Sequence, residues 1–195
     1  MTAVFEKDWA FFKASVPDLQ QYLFSDQLYW PVTIHAEGRR ESASLTPGNL
    51  LLTAKRLRAG IADAQCLNEL DALNNEMDYI RERWRSNWMQ KCEKEFSPRL
   101  RLWEGYLRDL SEDIETHGKD YPQDVRWRTI LHLLKGEMGR LSDQQASQLS
   151  TLDATLRSLA IPSAFVWEAE LAGSFPREIY WFLYLAFSKK AEGGS

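Results

Sequence analysis

Histidine and cysteine are the scarce residues of this chain: three His and two Cys in 195 positions. So few imidazoles leave no HExxH, no paired-His helix face and no Glu-x-x-His pair, which sets aside the common helical metal centres. Cys66 and Cys92 belong to no CxxC pattern and read as reduced, part-buried thiols of a cytoplasmic protein. Ten Gly and seven Pro are too few for a linker-rich or low-complexity chain. GxGxxG, GxxxxGK[ST] and GxSxG are all missing, so no nucleotide loop or nucleophile elbow is legible and no cofactor is implied. Neither sign of charge dominates. Against 28 acidic residues stand 24 basic ones, a net −4, which gives no global pull towards nucleic-acid phosphate. The longest apolar run, Ile179 to Phe187, covers nine residues, about half of what a spanning helix needs. The first residues carry Glu6 and Asp8 and lack a basic stretch followed by an apolar one, so no secretory leader is read. The expectation is a cytoplasmic protein with no membrane span.

Aromatics are what the chain has in plenty: eight Trp, nine Phe and seven Tyr. A chain of this length can hide about 70% of its extended surface on folding, so a core forms without staples. Residues 1–190 read as one helical domain and 191–195 as a loose polar tail.

Apolar spacing makes the fold class all-α, a multi-helix bundle. Phe5, Trp9 and Phe12 share a helix face that Val16-Pro17 interrupts. Cys66, Leu70, Leu73, Met77, Ile80, Trp84 and Trp88 form a stripe that Cys92, Phe96, Leu100, Trp103, Leu107, Leu110 and Ile114 continue. A straight rod of that length would reach about 80 Å, too long for a compact domain. The long segment is therefore expected to break or kink near Ser97-Pro98, with two helices meeting at Ser97 as the favoured geometry. Strand formers from Leu28 to Leu45, with Glu37-Gly38 as a turn, predict a small hairpin or ordered arm over residues 28–45. Thr46-Pro47, Asp120-Tyr121-Pro122 and Ser142-Asp143 are helix starts. Glu178 to Phe187, apolar around most of its circumference, predicts a last helix that needs a cover.

Charge reverses along the long stripe. Asp63, Glu69, Asp71, Glu76 and Asp78 precede a segment 81–108 that holds eight Lys and Arg against four Glu. Arg81, Arg83, Arg85, Lys94, Arg99 and Arg101, interleaved with Trp88, form a candidate interaction surface, and Trp181 and Tyr184 of the last helix join it. Arg126-Trp127-Arg128 repeats the pattern on a smaller scale. One of its arginines is expected to pair with Glu112, Asp113 or Asp124, with no function attached. The functional expectation is a non-enzymatic scaffold or protein-interaction subunit, self-associating or bound to a protein partner. One alternative is an accessory subunit gripping single-stranded nucleic acid through 81–108. The other is a small-molecule binder with an aromatic-lined pocket between helices.

Overall fold

A computed structural model describes residues 3–36, 38–60 and 63–187. Glu37 of the expected turn and the expected tail 191–195 lie outside the described residues. The fold is mainly helical, and no described helix is long and apolar enough to cross a membrane.

Helix α1 (Ala3–Phe24) runs straight through Pro17, where an interruption was expected. Phe12, Val16 and Leu19 are fully buried and Pro17 is exposed. The missing amide therefore falls on the solvent side, and continuous packing on the other face holds the helix together. The hairpin forms as expected. Strands β1 (Trp30–Ala36) and β2 (Arg39–Leu45) pair antiparallel, Val32 opposite Ala43, around Gly38 at a φ of 71°. Val32, Ile34 and Ala36 alternate inwards, and this face rests on α1.

Thr46 starts α2 (Pro47–Gly60), its hydroxyl accepting from the Asn49 amide at 3.2 Å. A Cβ at Gly48 would fall 2.3 Å from Ile130 Cγ2 and 3.0 Å from Glu95 Oε1, so only glycine lets α2 press this closely on its neighbours. Helix α3 (Ala64–Arg83) is capped by Asp63, whose carboxylate accepts from the Cys66 amide.

The break in the long segment falls at Trp84 and not at Ser97. Trp84, at φ −115° and ψ 40°, ends α3 and opens α4 (Arg85–Glu112), which continues across Pro98. Cys92, Phe96, Leu100 and Trp103 are buried in one row on both sides of that proline. Their packing outweighs the one ladder bond lost, a cost of about 3 kcal/mol. A short α5 (Ile114–His117) leads to α6 (Tyr121–Met138), the main partner of α4. Helix α7 (Asp143–Leu159) opens with a capping box between Ser142 and Gln145.

The expected C-terminal helix does not form. Residues 160–187 make two short 3₁₀ turns, Ala169–Ser174 and Trp181–Leu183, and a two-residue ladder between β3 (Ile161–Pro162) and β4 (Leu185–Ala186). Ser163 and Val166 donate to the carbonyls of Tyr184 and Leu183 at 2.8 and 2.9 Å. Tyr180, Phe182 and Leu183 are buried, and the Tyr121 hydroxyl donates to the Phe182 carbonyl at 2.5 Å. The run is apolar all round because it is an irregular strap that itself closes the core over α6.

Candidate functional site

The segment 81–108 does not present a basic groove. Arg81 and Arg85 both turn to Glu137 in the last turn of α6, at 2.6 and 3.2 Å, and the Trp88 indole donates to the same carboxylate at 2.8 Å. Burial pushes the Glu137 carboxyl up, but these three donors hold it below its ordinary value. Arg83 donates to the Tyr79 hydroxyl at 2.8 Å. Lys91 is buried against backbone carbonyls of Ser25 and Gln27 and over the Tyr22 ring. Lys94 and Arg101 point to solvent. Trp181 lies under the Arg157 guanidinium, and the Tyr184 hydroxyl donates to the Phe175 carbonyl at 2.8 Å. Arg128 pairs with Asp153 at 2.7 Å and not with Glu112, Asp113 or Asp124, because it faces α7.

Of the candidate surface residues, Arg99 lines a large cleft. A cleft of about 970 Å³ opens between α1, the hairpin, α2 and the start of α6, with residues 166–168 of the strap as its far wall. Its volume is in the range of small-ligand sites. Phe11, Ile34, Leu52 and Val166 supply apolar surface, and Tyr29, Trp127 and Trp167 supply rings. The Trp167 indole donates to the Pro122 carbonyl at 2.7 Å, which pins the strap to the first turn of α6.

Three guanidinium groups line this cleft, and each has a different charge environment. Arg99 is 4% exposed and bound to Glu95 of its own helix at 2.8 Å, and it reaches Asn49 Oδ1 at 3.1 Å. Glu95, fully buried, also accepts from the Thr46 hydroxyl and the Gly48 amide, both at 2.7 Å. Its charge thereby caps α2 from outside and fixes Arg99. Arg56 pairs with Asp8 at 2.7 Å and lies 3.7 Å from Glu168. Burial pushes the Asp8 carboxyl up against the pull of Arg56.

Arg126 differs from both. Among the described residues it makes no ion pair, and its Nε is buried with no hydrogen-bond partner. Burial, then Arg99 and Arg56, hold its affinity for the proton below the ordinary arginine value against the opposing pull of Asp8 and Asp124. Its guanidinium lies 4.9 Å from the Trp127 ring centre, and that of Arg99 lies at 4.7 Å. On the strap, Glu168 Oε2 is likewise buried without a hydrogen bond. The two orphaned atoms are a donor and an acceptor.

Such a site can bind and orient. Among the described lining residues there is no His or Cys, and no described group of three or more His, Cys, Asp or Glu is placed to hold a metal ion. Asp8, Arg56 and Glu168 were not singled out in the sequence, and no spacing links them, since they come from three separate elements. The Arg126-Trp127 pair was visible, but its unpaired state was not. Compared with known proteins, the chain matches no family model, no curated protein and no solved structure.

Proposed function

We propose that this protein binds a small organic anion in the cleft lined by Arg56, Arg99 and Arg126. The observation that carries this reading is Arg126, a part-buried cation with no carboxylate partner beside two further guanidinium groups. A buried unpaired charge is costly to keep, and a bound carboxylate would satisfy it with charge-assisted hydrogen bonds. The aromatic and aliphatic walls suit a planar apolar body on the anion.

Titration calorimetry with benzoate, naphthoate and inorganic phosphate at low salt tests it. Naphthoate is expected to bind at a single site, and Arg126→Gln to weaken it at least about tenfold, equal to about 1.4 kcal/mol. No heat from any of these anions up to about 10 mM, where binding is worth under about 3 kcal/mol, would overturn the reading. So would an unchanged affinity in Arg126→Gln.

A protein-docking role has its own support in an exposed aromatic row. Phe24, 54% exposed, packs edge-on against Trp84 at 4.7 Å, and Arg83 bridges Trp84 to Tyr79, which is 59% exposed. If this row mediates self-association, Phe24→Ser with Tyr79→Ser lowers the sedimentation-derived mass at tens of micromolar. A wild-type chain that sediments as a monomer removes self-association from consideration.

A further inference from the structure

A second concave site, of about 440 Å³, is lined by α6 and α7 and shares no lining residue with the cleft. Arg128 lies ten residues before the end of α6, and Asp153 ten residues after the start of α7. The bond between them ties the helices at equal distances from their connecting turn, so they run antiparallel with the groove between them. Inwards from that bond, His132 and Lys135 follow at one and two turns on α6, and Ser150 and Ala146 follow on α7. All four line the groove.

The charges of this groove do not balance. Arg128 and Asp153 neutralise each other through two hydrogen bonds at 2.7 and 2.8 Å. Lys135 and Arg157, both exposed, make no ion pair among the described residues, and the Arg157 guanidinium rests on the Trp181 ring. The half-buried His132 imidazole registers the excess. Arg128 and Lys135 on its own helix and Lys55 on α2 all lower its affinity for the proton, and Asp153 on α7 opposes them. Like charges gathered at one groove repel each other, and an anion seated there would turn that repulsion into charge-assisted hydrogen bonding.

We infer that this groove binds a phosphate dianion beside His132, as the free ion or as the monoester of a small molecule. The Lys135 ammonium, the His132 ring N–H and the Ser150 hydroxyl donate to it from the two walls. Donors arriving from two helices suit an oxyanion whose several oxygens can each accept. The two uncompensated cations match its charge, Lys135 by contact and Arg157 through its field, one turn beyond the Arg128–Asp153 bond. Leu141, Ala146 and Ala154 leave small aliphatic surface alongside, and the volume lies towards the lower end of small-ligand sites. This site is independent of the anion cleft, and the failure of either leaves the other standing.

Proton NMR of the histidine rings tests the inference, because the other two histidines, His35 and His117, do not line the groove. At neutral pH, inorganic phosphate or phenyl phosphate is expected to shift the His132 signals saturably, with half-saturation below about 1 mM, and to leave His35 and His117 in place. The tighter of the two probes tells the free ion from the monoester. Lys135→Gln, at an exposed position, is expected to weaken that probe at least about fivefold, and Lys94→Gln, another exposed cation, to leave it unchanged. In saturating sulfate, a dianion over the whole titration, the affinity of His132 for the proton is expected to rise at least about tenfold. His132 signals that stay in place up to about 10 mM of either phosphate, an equal response in Lys135→Gln, or an unchanged proton affinity in sulfate would each overturn the proposal.

Discussion

Two arginine-tryptophan clusters lie along the α4–α6 contact, and they end in opposite states. At the α3–α4 junction, Arg81, Arg85 and the Trp88 indole converge on the one carboxylate of Glu137. In the cleft, Arg99 and Arg126 flank Trp127, but only Arg99 has a carboxylate. The first cluster is the denser in the sequence and is spent on joining helices. The second is sparser and keeps a charge in reserve. Density of Arg and Trp along a chain therefore says little about binding, and the three-dimensional pairing of each charge says much more.

The contrast can be broken first at Glu137. Its removal leaves the buried Trp88 indole N–H without an acceptor and costs Arg81 and Arg85 their shared carboxylate. Arg81 keeps Asp78 and Arg85 keeps the backbone carbonyl of residue 137, so Glu137→Ala should cost about 2 kcal/mol in urea unfolding. A loss under about 1 kcal/mol would mean the junction is not held by this carboxylate.

A second measurement asks whether another cationic part of α6 tolerates one more positive charge. The His132 ring sits tilted against Tyr180 at 4.8 Å, and burial followed by Arg128, Lys135 and Lys55 pushes its imidazole down to about 4 from 6.5. The unfolded chain takes up the proton first. Stability is therefore full above pH 6.5 and falls as the pH drops from there towards about 4, by about 3 kcal/mol in all. Denaturation at several pH values should show this slope, and His132→Phe should flatten it. An equal slope in the variant assigns it elsewhere.

The smallest effect is the most telling. Arg126→Gln removes a cation that makes no ion pair among the described residues, so the variant should be no more than about 0.5 kcal/mol less stable than the parent. A loss comparable to that of Glu137→Ala would show that Arg126 is structural after all, and the two clusters would cease to differ.

Much of the fold could be read from local chemistry. Thr46 and Ser142 mark helix starts by capping, Pro122 marks another by its place in the first turn, and the hairpin follows from its β-branched residues and Gly38. What misled was proline. Pro17 and Pro98 carry a strong local penalty, but buried neighbours on the opposite face outvote it, and that vote is taken in three dimensions. The strap was misread for a related reason. A run such as Tyr180-Trp181-Phe182-Leu183 shows that burial is needed and does not show the backbone shape that achieves it. The cleft was the least legible part. Arg99 stands in the sequence as one member of a candidate interaction surface, and Asp8, Arg56 and Glu168 join it around the cleft only across chain separations that no pattern marks.

The bond from the Gly48 amide to Glu95 has a consequence for the time scale of opening. First-turn amides of a helix stand outside its ladder and ordinarily exchange their hydrogens quickly. This amide is sealed under Ile130 and held by a carboxylate from another helix. It can meet deuterium only when α2, α4 and α6 part together. Its exchange rate is thus a one-atom clock for global unfolding of the bundle, located where a helix would otherwise fray.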